Sequence, residues 1–162
     1  MDFPNPIWVS GKISRDTFFR DFTLRFSSLL QATKPGDQIT LFINSGGGET
    51  HTALGIYDLL ISSVRSVVGV VACAAQSGAS LILQACSWRI MSQHSTLLLH
   101  KSKVTVSGSV ENAQEALNVF ARLDEKIYKI YAERSGKKLE CTTPSILLHS
   151  LYLILVFCRT LQ

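Results

Sequence analysis

Several features that would place this sequence in a broad functional class are missing from it. No block of five or more like charges occurs among its 16 Lys and Arg and 12 Asp and Glu, and the net charge is only +4. A phosphate-tracking surface needs clustered Lys and Arg with aromatic residues between them, so no nucleic-acid partner is expected. The four cysteines, Cys73, Cys86, Cys141 and Cys158, form neither a CxxC pair nor a His-Cys ligand spacing. They read as reduced, mostly buried small hydrophobes of a cytosol-like compartment, and no metal or cofactor is expected. The longest apolar run, Ile146 to Cys158, covers thirteen residues and is broken by His149 and Ser150. A membrane-crossing helix needs ~20, so a buried helix or strand is expected there and no membrane partner. The N-terminal Met1-Asp2-Phe3-Pro4-Asn5-Pro6 has no basic or apolar leader region, and no secretory signal is expected.

What is present is one domain's worth of alternating strands and helices. With 162 residues, 46% of them hydrophobic and 17% charged, the chain can build one substantial core. Ile7 to Gly11 reads as a short strand, and Ser14 can cap a helix with Phe18, Phe22, Phe26, Leu29 and Leu30 on one face. After the turn Lys34-Pro35-Gly36-Asp37, a second strand, Ile39 to Ile43, leads into Asn44-Ser45-Gly46-Gly47-Gly48. A helix carrying Ala53, Ile56, Tyr57, Leu60, Ile61 and Val64 follows, then a third strand from Val67 to Ala72. The pattern predicts an α/β fold of stacked βαβ units with right-handed crossovers.

Ala74-Ala75-Gln76-Ser77-Gly78-Ala79-Ser80 puts a serine where a buried strand gives way to a helix. The hydroxyl projects there, and the first N–H groups of the new helix have no partners within it. An ordinary N-cap would look the same. Three glycines after a strand can expose backbone donors to an anion, or can be a tight turn. A Lys-Ser or Lys-Thr after the glycines and a GxGxxG spacing are both absent, which excludes a phosphate loop and a dinucleotide fingerprint. Arg89 to Met91 and Thr96 to Leu99 read as two further strands, with His100 closing the second. Ser77 and His100 form a candidate nucleophile and base, since imidazole titrates near neutrality and can take the hydroxyl proton.

Asn44-Ser45-Gly46-Gly47-Gly48, Ile56-Tyr57-Asp58, Ala74-Ala75-Gln76-Ser77-Gly78-Ala79 and Leu98-Leu99-His100 together resemble the proteolytic subunit of the Clp protease. That family usually reads N-S-P-G-G, I-Y-D, A-A-S-M-G-A and M-I-H in this order. The resemblance runs from about Ile7 to Glu140 and implies a crotonase-like α/β fold with a projecting handle helix, here from Ser109 to about Arg134. It also implies Ser77 as nucleophile, His100 as general base and the N–H groups of Gly48 and Gly78 as the oxyanion hole. Homo-oligomeric rings of seven subunits, single or stacked through the handle, are implied as well. An ATP-driven AAA+ unfoldase would feed them unfolded polypeptide, in the cytoplasm or in an organelle matrix or stroma.

The sequence departs from that pattern at several points. Gly46 stands where proline is common, Gln76 precedes the serine, and the segment Ala85 to Arg89 is slightly short. The N-terminus is short for the loops that touch the unfoldase. Residues 1–140 are expected to form the protease-like domain and 141–162 a divergent apolar tail. From Cys141 to Gln162 there is no acidic residue, and His149 falls near the family's third triad member, an aspartate. Asp58 and Asp124 have no sequence feature that brings them to His100. Three readings therefore stay open: a serine endopeptidase subunit, a weakly active or non-catalytic ring subunit, and a crotonase-like acyl enzyme.

Overall fold

Near-continuous runs of β-branched and aliphatic residues become parallel strands covered on both faces. In the computed structural model, which describes residues 3–136 and 158–161, the order is β1 (Pro6–Ile13), a π-helical turn (Arg15–Phe19), α1 (Arg20–Ala32), β2 (Gln38–Gly48), α2 (Thr50–Ile61), β3 (Ser66–Gln76), α3 (Gly78–Gln84), β4 (Trp88–Ser92), β5 (Thr96–Leu98), α4 (Val110–Ser135) and β6 (Cys158–Leu161). The strands form one sheet in the order β1-β2-β3-β4-β6, with β5 also on β3, and every pair is parallel. Strands β4 and β5 share one edge of β3, the first along Val68 to Val71 and the second along Ala74 to Gln76. The α/β expectation holds.

Two boundaries differ from the sequence reading. The second strand does not stop at Ile43 but runs on through Gly48, because Gly47 and Gly48 pair with Lys12 and Ile13 beyond a register shift in β1. The third likewise runs past Ala72 to Gln76, where it meets β5. The first helix opens as a π turn, with the Phe19 N–H on the Ser14 carbonyl at 3.2 Å. Helix α4 matches its sequence signals: the Ser109 hydroxyl accepts the Asn112 N–H, and Gly136 ends the helix in the left-handed region at φ 66°.

Phe22 and Phe26 of α1, Ile56 and Leu60 of α2, and Leu81, Ile82 and Leu83 of α3 close on Ile39, Leu41, Ile43 and Val71 of the sheet. Full burial of each such side chain stabilises by roughly 1.5–3 kcal/mol. Cys86 is buried as expected, but Cys73 is exposed, in the stretch between Val71 and Ala75 where the register of β3 on β2 shifts. Cys141, His149 and the boundary at residue 140 lie outside the described residues. Of the apolar run, only Cys158 belongs to a described element, strand β6 beside β4.

Gly69 lets α3 settle on β3. A Cβ there would stand 2.7 Å from Leu83 Cδ1 and 2.8 Å from Cys86 Sγ. Gly69→Ala is therefore expected to destabilise the chain by about 1–3 kcal/mol through overpacking, read as a melting temperature several degrees lower. An unchanged melting temperature would show that α3 can shift away freely.

Candidate active site

Ser77 joins β3 to α3, and its backbone is bonded on both sides. Its N–H donates to the Leu98 carbonyl of β5 at 2.7 Å, while its own carbonyl accepts from the N–H groups of Ser80 (3.0 Å) and Leu81 (3.3 Å). The Ser80 hydroxyl adds a third donor at 2.6 Å. These bonds hold Ser77 at φ 52° and ψ −124°. A non-glycine residue in such a conformation carries roughly 1–3 kcal/mol of strain and persists where its surroundings over-determine it.

The glycine-rich end of β2 passes directly beneath this corner. Buried Ser45 pins it, donating its hydroxyl to the Gly11 carbonyl at 2.6 Å and accepting the Gly47 N–H at 3.0 Å. Gly47 has φ +90°, and a Cβ on it would stand 2.6 Å from the Gln76 carbonyl oxygen and 2.8 Å from Ser77 Cβ. No other residue type combines that torsion with that clearance. Gln76, the polar departure, donates its amide to the Thr96 hydroxyl at 3.5 Å and lies against Gly46.

A cavity of about 270 Å³ opens over the corner, lined by Ser77, Gly78, Gly46, Gly48, Leu81, His100, Ser102 and Asp124, with Tyr128 and Tyr131 among its other walls. Ser77, His100, Gly48 and Gly78 are thus brought to one space. His100 lies two residues past the end of β5 and is exposed, instead of closing the strand. Its Nδ1 is 2.6 Å from the Lys101 carbonyl oxygen. A carbonyl only accepts, so Nδ1 carries the proton and Nε2 is left as the basic nitrogen. Among the described residues no hydrogen bond joins the Ser77 hydroxyl to the imidazole. His51 and His94 are exposed and line no part of this cavity.

Helix α4 supplies the far wall, which the sequence reading missed. Asp124, which no sequence feature placed near His100, lines the same cavity; Asp58 is exposed on α2 and does not. The Asp124 carboxylate accepts from the Ser102 hydroxyl at 2.6 Å and from the Ser102 N–H at 3.3 Å. Burial pushes the Tyr128 phenol up to about 12, helped by the negative charge of Asp124. Burial raises Tyr131 as well, against the opposing effect of its bond to Ser80. Both phenols are therefore neutral at neutral pH. The Ser80 hydroxyl is committed to Tyr131 at 2.7 Å and to the Ser77 carbonyl, which removes it as a rival nucleophile. The signal for this wall was periodic: Asp124, Tyr128 and Tyr131 recur at spacings of four and three, beside the apolar Leu123, Ile127 and Ile130.

The model of the family described as Clp protease matches residues 9–145. The chain belongs to the Clp protease family. Similar proteins include the ATP-dependent Clp protease proteolytic subunit of Bacteroides fragilis, 28% identical over 109 residues, covering 66% of this chain and 53% of that protein. Proteolytic subunit 6, chloroplastic, of Arabidopsis thaliana is 30% identical over 105 residues, covering 63% and 38%. The proteolytic subunit of Chlorokybus atmophyticus is 32% identical over 104 residues, covering 63% and 46%. The chain spans about half the length of most of these curated relatives. The α/β fold agrees with Clp protease family membership. Among the described residues, no helix is long and apolar enough to cross a membrane.

The strain at the corner has a measurable consequence. Ser77→Gly is expected to raise the melting temperature by a few degrees, because the relief of ~1–3 kcal/mol exceeds the added chain entropy of glycine, about 0.5–1 kcal/mol. Thermal unfolding beside Ser77→Ala, which keeps the strain, checks it; a lower melting temperature for the glycine variant would mean an unstrained corner.

Proposed function

We propose that the chain is a serine endopeptidase subunit of an ATP-dependent Clp-like protease, with Ser77 as nucleophile and His100 as general base. The observation that carries this reading is the strained Ser77 corner, sharing one cavity with an imidazole whose Nε2 is the basic nitrogen. In the proposed reaction His100 Nε2 takes the hydroxyl proton as Ser77 Oγ attacks the scissile carbonyl. The N–H groups of Gly48 and Gly78 stabilise the oxyanion of the tetrahedral intermediate. Such donors act on charge that develops only in the transition state, and losing one typically costs roughly 2.7–4 kcal/mol of barrier. The protonated imidazole then passes its proton to the leaving amine, and water releases the acyl group from Ser77 by the same steps in reverse order.

The substrates in this reading are unfolded polypeptides delivered by an AAA+ unfoldase into a ring chamber built from copies of the chain. Family membership supports it, as does the first half of α4, where Val110, Leu117 and Val119 stand exposed. The second reading is a weakly active or non-catalytic ring subunit. It is favoured by one observation: among the described residues the His100 ring is bonded to a peptide carbonyl and not to a carboxylate.

A fluorophosphonate probe separates the two. Labelling of the unmodified chain at one site, lost in Ser77→Ala and reduced almost as far in His100→Ala, is the expected result, since members of a catalytic unit are strongly non-additive. Short peptides should be cleaved slowly. A chain that forms rings and resists labelling at high probe concentration is the non-catalytic subunit. Sedimentation at micromolar concentration is expected to show a particle several-fold larger than the monomer, and Leu117→Asp to shift it toward monomer; a monomer throughout would defeat the ring.

A further inference from the structure

We infer that Asp124 is the positioning acid of this site, acting on His100 through the peptide group that joins Lys101 to Ser102. The inference rests on the reading of Ser77 and His100 as nucleophile and base, and it supplies a carboxylate behind the imidazole, which among the described residues touches none directly.

The geometry is a relay through one planar amide. The His100 Nδ1–H donates to the Lys101 carbonyl oxygen at 2.6 Å. The N–H of the same peptide unit belongs to Ser102 and donates to Asp124 Oδ1 at 3.3 Å. A carboxylate accepting the N–H of an amide pushes electron density from the nitrogen onto the carbonyl oxygen, making it a stronger acceptor; hydrogen bonds in series polarise one another in this way. The Ser102 hydroxyl, at 2.6 Å from the same oxygen, is a short charge-assisted bond that fixes residue 102 against α4. Two bonds to one carboxylate therefore set the plane of the peptide whose carbonyl holds the imidazole.

Three independent features agree with this role. Asp124 is the one carboxylate lining the cavity among the described residues. It is half-buried, where a charge interacts more strongly than on an open surface. The segment from Cys141 to Gln162 contains no acid that could perform the task instead. An orienting acid has two functions, holding one tautomer and stabilising the imidazolium. Through an intervening amide the first is retained and the second weakened, which accords with a slow enzyme rather than a dead one.

The test follows Ser77 labelling by the fluorophosphonate probe and the His100 ring nitrogens by nitrogen NMR, in the full chain and in Asp124→Asn, which keeps size and hydrogen bonding without the charge. Labelling is expected to slow by at least about tenfold, short of the ~10⁴ lost when a directly bonded triad acid is neutralised. The neutral ring, protonated on Nδ1 in the unmodified chain, is expected to divide between its two tautomers. Equal labelling, or slower labelling with an unchanged tautomer, overturns the inference and leaves the nucleophile assignment standing. An unmodified chain protonated on Nε2 overturns it without any variant. If the unmodified chain resists the probe altogether, the peptidase reading falls, and the tautomer comparison alone decides the relay. Should Asp124→Asn not fold, Asp124→Ser takes its place with the same two measurements.

Discussion

The hydrogen bond from the Ser77 N–H to the Leu98 carbonyl is the constraint around which the site is built. It ends β3, seats β5 beside it, and leaves one residue, Leu99, between that bond and His100. With the Ser77 carbonyl already serving the first turn of α3, the residue has no freedom to relax, and the strain at φ 52° is stored where the hydroxyl must project. The position of His100 relative to Ser77 is thus a property of strand pairing, although the imidazole itself sits on an exposed segment.

That bond in turn depends on backbone close packing that the glycines permit. Ser45 draws β1 and β2 together across the register shift in β1, and Gly47 brings β2 to within contact of Gln76 and Ser77. A side chain at Gly47 would push β2 off the corner and move Gly48 away from the space it shares with Ser77. Ser45, Gly47 and Gly48 therefore act as one unit. Their sequence is a structural requirement of the corner before any chemistry is assigned to it.

The alternation of strands and helices and the limits of α4 were legible in the sequence, because each is written in local terms: apolar runs, three-and-four spacing, a Ser109 cap and a Gly136 stop. What was not legible depends on contacts between distant segments. The glycines of β2 look like a turn because glycine is a poor strand residue; pairing of Gly47 and Gly48 with Lys12 and Ile13 keeps them in the sheet. Asp124 had no sequence feature that places it near His100, because the three-and-four spacing marks the buried face of α4 and does not report which distant segment that face meets. The exposed Cys73 is a similar case, in the stretch of β3 where its register on β2 shifts.

Helix α4 consequently carries two different jobs along its length, and the change occurs near Leu123. Before it, Leu117 and Val119 are half-exposed among the described residues. After it, Ile127 and Ile130 pack against the core, Tyr131 bonds Ser80, and Asp124 holds Ser102. The helix of 26 residues is about 39 Å long and has no proline or glycine within it to break it between the two halves. Its second half touches Ser102 through Asp124, and the Lys101 carbonyl of the same peptide unit meets the His100 ring. The second half of α4 is in this way tied, through Asp124 and Ser102, to the segment that carries His100.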